Sequence, residues 1–307
     1  MASLPDLPEC CLLSILVHLP IRSLLLLRLV SRKWYRLCSE TLRRIEDLCL
    51  PELLRGSSSE EAVSLTRRQE IQKAVPLFIR NYGSFLRSLH FGPSWLIVNQ
   101  ELVNAVSCTC KNITELDFSS VVFYSDIADV LLSLSNQLLI LKLKDASWTV
   151  DSNSHSIQFV LPKMSVLQVL DLTYFYNLEP PFDVKNLIAL SPSIRRLNLS
   201  GFVWLCSQQI LLILEQLHNL VELRLSRLTP CLDQRIICSI ASMRSLEILE
   251  MNNICRSDLQ LSSLVCLSGS LKELYLNDND SLDALTKKQI RQAFPNLRVF
   301  EAANHNG

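Results

Sequence analysis

The stretch LVELRL at residues 220–225 recurs as LEILEM at 246–251 and as LKELYL at 271–276. Its pattern is LxxLxL, with Ile or Phe tolerated. It begins at Leu86, Ile113, Leu138, Leu167, Ile194, Leu220, Leu246, Leu271 and Leu297, where the last unit is degraded. The steps between starts are 27, 25, 29, 27, 26, 26, 25 and 26 residues, too steady a period for chance in a Leu-rich chain. Side chains alternate along a strand, so the leucines face one side and the residues between them face the other. Between the strands lie SQQILLILEQLHN (207–219), LDQRIICSIASM (232–243) and LTKKQIRQAF (285–294), with apolar residues at the spacing of an amphipathic helix.

One strand and one helix cannot bury their own apolar face, whereas stacked copies can. The expected fold is therefore an α/β solenoid over residues 86–307, about nine units, with a parallel sheet on the concave face and helices on the convex face. IEDLCL at 45–50 has the same spacing and reads as an N-terminal unit, so 45–85 form a first repeat and linker. RGSSSEEA at 55–62 places an exposed loop around 56–61. Ser57–Ser59 before Glu60 and Glu61 resemble an acid-directed kinase site, but a solvated loop is the plainer reading.

The repeats resemble those of leucine-rich-repeat proteins, and their long period is similar to the intracellular subclass with full helices. The ninth position, commonly Asn or Cys in that family, here reads Ser94, Val121, Ala146, Phe175, Phe202, Leu228, Ile254, Asn279 and His305. The polar ladder under the turns is thus expected to be largely missing and the loops after the strands irregular.

Thirty Lys and Arg balance thirty Asp and Glu, which disfavours a dedicated nucleic-acid binder. The apolar run Leu12–Val30 is interrupted by His18, Pro20, Arg22 and Arg28, and a span needs about 20 nearly uncharged residues. Asp6 and Glu9 stand where a signal peptide carries basic residues. The expected location is cytoplasmic, nuclear or both, with no membrane or nucleic-acid partner. Eleven cysteines without a C-x-x-C read as reduced core residues. The sequons at Asn112, Asn198 and Asn279 carry little weight in such a protein.

Residues 7–37 read LPECCLLSILVHLPIRSLLLLRLVSRKWYRL. Pro8 suits a helix start, Leu12, Ile15, Leu16 and Leu19 make one apolar face, Pro20 ends that helix, and Ser23 is placed to cap the next. Around 27–37, Leu27, Val30, Trp34 and Leu37 share a helical stripe, opposite Arg28, Arg32, Lys33 and Arg36. Fifteen Leu, Ile and Val among 31 residues exceed what so small a unit buries alone. The series L-P…L-P…V-x-x-x-W is similar to the F-box, the helical motif that docks a Skp-family adaptor of cullin–RING ubiquitin ligases. Residues 1–44 are assigned to it. The resemblance implies adaptor contact through Leu7, Pro8, Leu12, Ile15, Leu16, Leu19, Pro20, Leu24, Val30 and Trp34. Capping of the solenoid end is the alternative use of these helices.

An F-box before leucine-rich repeats resembles substrate receptors of Skp–cullin–F-box ligases. The adaptor then brings the cullin and RING protein, and the repeats hold an unidentified protein substrate. A scaffold or inhibitor that binds its target without ubiquitylation has the same signature. Six unclustered glycines leave no phosphate-binding loop, and the five histidines have no metal-ligand spacing. No cofactor, metal or catalytic residue is expected. The outward strand positions nominate Glu115, Asp117, Lys142, Lys144, Asp171, Arg196, Asn198, Arg224, Glu250, Glu273 and Tyr275 for substrate contact, and neighbours such as Arg224 and Glu250 are placed to pair laterally. Tyr275 is the one aromatic among them, and Arg224 with Tyr275 is the favoured pair. A mobility-shift assay at physiological salt is expected to show no retardation of DNA or RNA; retardation with a steep salt slope contradicts this reading.

Overall fold

The computed structural model describes residues 7–51, 65–92, 96–149, 156–174, 185–203, 205–228, 232–254, 261–279, 282 and 284–303. Ser57–Ser59 and their loop, and the ninth-position residues Ser94, Phe175 and His305, lie outside these. The chain opens with three short helices, α1 (Glu9–Leu16), α2 (Ile21–Leu27) and α3 (Arg32–Leu42). A longer helix, α4 (Leu65–Tyr82), precedes the regular repeats.

Ten three-residue strands form one parallel sheet: β1 (Asp47–Cys49), β2 (Ser88–His90), β4 (Glu115–Asp117), β6 (Ile140–Lys142), β8 (Val169–Asp171), β9 (Arg196–Asn198), β10 (Glu222–Arg224), β11 (Ile248–Glu250), β12 (Glu273–Tyr275) and β13 (Val299–Glu301). They follow in chain order, and equivalent positions of LxxLxL stand side by side, as in Leu223↔Leu249 and Leu249↔Leu274. IEDLCL joins through Leu48↔Leu89, so it is the first unit of the solenoid. A second parallel sheet joins β3 (Ile97–Val98), β5 (Val122–Phe123) and β7 (Ser147–Trp148). The repeat leucines lie in one continuous core from Leu48 to Phe294. Near its N-terminal end Phe91 stacks on Phe118, and Phe123 stacks on Trp148, with ring centroids 4.5 and 4.3 Å apart.

The turns after the strands are regular, contrary to expectation. The eighth residue of seven successive units has a positive φ: Ser120, Asp145, Tyr174, Gly201, Arg227, Asn253 and Asp278. Only Gly201 adopts this region without Cβ strain, so six side chains are held left-handed by what surrounds them. What holds them is a backbone ladder. The eighth N–H of one unit donates to the seventh C=O of the next, as in Ser120 to Lys144 (2.7 Å) and Arg227 to Asn252 (2.9 Å).

The polar ladder is also present, two positions earlier than the family pattern puts it. Oγ of Ser200 accepts from Ser226 N–H, Oγ of Ser226 from Asn252 N–H, and Oδ1 of Asn252 from Asn277 N–H. Val121, Ala146, Phe202, Leu228 and Ile254 at the ninth position are therefore free to be buried core. Asn279 is the polar exception. It is 4% exposed, donates to the carbonyls of Met251 and Leu276, and accepts from Ile254 N–H. Asn279→Ala strands these backbone groups and is expected to lower unfolding free energy by about 2–3 kcal/mol in urea titration. Asn198→Ala on the open face is expected to cost under about 1 kcal/mol.

Candidate functional site

The N-terminal helices pack around Leu12, Leu16, Leu24, Leu37, Cys38 and Leu42. The run 27–37 is not one helix, as the helical stripe suggested. Helix α2 stops at Leu27, and α3 starts at Arg32, where Ser31 Oγ accepts from Trp34 N–H at 3.3 Å. Pro20, not Ser23, occupies the cap position of α2, and Ser23 lies inside the helix. The basic residues divide accordingly. Arg32, Lys33 and Arg36 are exposed, with Arg36 paired to Glu9. Arg28 instead lies 4.5 Å from the Tyr35 ring and 5.8 Å from that of Tyr82 on α4, a cation–π bridge between the N-terminal helices and the solenoid. Ile21, Ile45 and Phe78 touch both cores.

This packing sorts the ten residues nominated for the adaptor. Leu12, Leu16 and Leu24 are 1–2% exposed within the chain's own core and have no surface to offer, a correction to their assignment. Leu7, Leu19 and Trp34 are half-buried against the same core. Pro8, Ile15, Pro20 and Val30 are exposed. Helical periodicity missed Val17, Leu26 and Leu29, the last 83% exposed. With Ile15 and Val30 they leave five large apolar side chains of a 31-residue stretch uncovered.

The concave face carries the second set of residues. Parallel register aligns the fifth positions in one row, through Asp117↔Lys142↔Asp171↔Asn198 and Arg224↔Glu250↔Tyr275↔Glu301. Lys142 Nζ lies 3.0 Å from Glu115 Oε1 and 3.6 Å from Asp117 Oδ2. Burial alone would raise the Asp117 carboxyl. Hydrogen bonds from Ser119, the Lys142 ammonium and the His90 ring outweigh it and hold the group below the usual carboxylate range. The same pairing overcomes burial at Lys142 and raises its ammonium. Arg224 bridges laterally to Glu250 (2.7 Å) and, within its strand, to Glu222 (2.6 Å), while Glu250 also accepts from Ser226 Oγ (2.8 Å). Ser88, expected to face outward, is buried and bonded to His90 Nε2.

Between these two clusters lies a cleft of about 490 Å³ whose lining includes Lys144, Asp171, Tyr174, Arg196, Asn198 and Glu250. Seven of the nominated residues meet there: Lys142, Lys144, Asp171, Arg196, Asn198, Arg224 and Glu250. Glu115, Asp117, Glu273 and Tyr275 do not line it. Tyr275 donates to Glu273 at 2.9 Å and is flanked in register by Glu250 and Glu301, with Arg224 one strand further off. Among the described residues no group of three or more His, Cys, Asp or Glu is disposed to hold a metal ion, and no helix is long and apolar enough to cross a membrane.

Residues 4–45 match the family model of the F-box domain. No curated protein matches the chain. Among solved structures the chain is similar to a leucine-rich-repeat protein of Leptospira interrogans, at 20% identity and TM-score 0.43, covering 73% of this chain and 50% of that one. It is similar also to internalin C2 of Listeria monocytogenes (17%, TM-score 0.40, covering 75% and 83%) and to a leucine-rich-repeat-containing protein of Legionella pneumophila (18%, TM-score 0.40, covering 76% and 88%). The chain thus spans half the length of the Leptospira protein. Three helices within the F-box match thus stand before a laterally stacked LxxLxL sheet, so the chain joins an F-box domain to a leucine-rich-repeat solenoid fold.

Proposed function

We propose that this chain is the non-catalytic substrate-recognition subunit of a Skp–cullin–F-box ubiquitin ligase. The observation that carries the reading is the uncovered apolar surface of the F-box, Ile15, Val17, Leu26, Leu29 and Val30, which the chain's own core does not use. A Skp-family adaptor is the partner of matching chemistry, and the cullin and RING protein come with it. Buried Leu12, Leu16 and Leu24 support that surface from beneath.

The protein substrate docks on the concave face, centred on the cleft at β6–β11. Repeat proteins commonly bind partners on this face. The chain then acts by proximity, holding substrate lysines near a loaded conjugating enzyme and supplying no catalytic group. The complex works inside the cell, away from membranes and nucleic acid.

Leu26→Asp with Leu29→Asp changes two exposed side chains. The double variant is expected to keep its unfolding midpoint while losing at least a hundredfold in affinity for purified Skp-family adaptor, about 3 kcal/mol by calorimetry. Leu24→Ala, in contrast, is expected to cost about 2–5 kcal/mol of stability. Full adaptor affinity in the folded double variant contradicts the reading.

A further inference from the structure

The chain carries equal numbers of acidic and basic side chains, but its concave face does not. Among the described outward positions eight carboxylates stand on β1, β4, β8 and β10–β13, against four cations, Lys142, Arg196 and Arg224 on the strands and Lys144 just after β6. These positions therefore hold an excess of four negative charges in a neutral chain. Three of the cations are committed. Lys142 is shared by Glu115 and Asp117, Arg224 by Glu222 and Glu250, and Arg196 lies 3.8 Å from Glu222. Toward β13 the compensation stops. Glu273 accepts only from the Tyr275 hydroxyl and Glu301 only from the Asn277 amide, and neither meets a cation among the described residues.

The side chains there have a definite layout. Tyr275 stands between Glu250 and Glu301, and Glu273 stands between Ile248 and Val299, with about 4.8 Å per strand step. Each carboxylate thus has an aromatic or aliphatic neighbour one strand away. A lysine or arginine laid on this surface places its alkyl stem on Ile248 or Val299 and its charged head between the carboxylates, against the Tyr275 ring. An acidic segment meets only repulsion there.

We propose that the concave surface of β11–β13 docks an extended segment of a partner protein through its Lys or Arg side chains. The inference rests on the concave face being the substrate site and narrows the substrate to one presenting a basic segment. The carboxylates raise the Tyr275 hydroxyl above its usual range, first through its hydrogen bond to Glu273, then through burial and the charges of Glu273 and Glu301. The Arg224 guanidinium opposes this shift as the smallest of these influences.

Fluorescence anisotropy on the full chain at about 0.1 M salt tests this with two labelled nonapeptides, one alternating Lys and Val, the other Glu and Val. The lysine peptide is expected to bind at least about tenfold tighter. Glu273→Gln with Glu301→Gln is expected to weaken it at least about fivefold, while Glu70→Gln with Glu215→Gln, an equal charge change on exposed helix positions, leaves it within about twofold. Equal binding of the two peptides, or equal loss in both variants, overturns the proposal. Random peptides selected by phage display on the same chain separate it from its premise. Selected peptides without basic bias that still lose binding in Tyr275→Ala with Glu250→Gln overturn the basic class and leave concave docking standing. Selected peptides indifferent to those changes count against concave docking itself.

Discussion

No repeat of this chain can bury its own leucines, and the rest of the structure follows from that constraint. A three-residue strand is too short to stand alone, and its apolar face is closed only by the strands on either side. Side-by-side alignment of LxxLxL from β1 to β13 is the arrangement that buries the repeat leucines together, with only the terminal Leu297 among them left partly covered. A shift of one residue would turn the leucines outward and the charges in. Register fixed in this way forces the eighth residue of seven successive units into the same left-handed turn, whether it is glycine, tyrosine or arginine. It also places like positions of neighbouring units in straight rows, so charges far apart in sequence become lateral neighbours.

The F-box meets the same constraint with too few residues, and its solution leaves the apolar surface that we propose for the adaptor. Three helices of 7–11 residues close a small core around Leu12, Leu16, Leu24 and Leu42 and lean on α4 through Ile21, Ile45 and Phe78. Arg28, held over Tyr35 and near Tyr82, adds a polar tie at that seam. What the core cannot reach remains outside, where the proposed adaptor would cover it. The same helices therefore serve two purposes, with buried faces joining the solenoid and exposed faces free for another protein. The seam matters for the proposed function, because a receptor that acts by proximity needs its adaptor surface and its substrate face held in a fixed relation.

The solenoid was legible in the sequence because its signal is periodic: nine starts at nearly constant spacing determine strand, core and outward face together. The lateral pair Arg224–Glu250 followed from that periodicity. What was not legible depended on contacts that no period records. The ninth-position residues looked like a missing ladder, whereas the ladder had moved to Ser200, Ser226 and Asn252 at the seventh position. Polar residues at that position in seven successive units, from Ser119 to Asn277, were the available signal. The stripe from Leu27 to Leu37 looked like one helix because a helical wheel does not register a cap, and Ser31 restarts the helix there. Burial within the F-box was least legible. Leu24 and Leu26 are the same residue type two positions apart, one enclosed and one 58% exposed, and only the packing of α2 against α3 decides between them.

The most direct measurement is amide hydrogen exchange on the full chain, alone and saturated with purified Skp-family adaptor. The account predicts slowed exchange over residues 13–35, where the uncovered apolar side chains lie, and unchanged exchange in the concave strands from β4 to β13. Slowing on the concave strands with none in the F-box helices would contradict it, because the adaptor would then occupy the face assigned to the substrate.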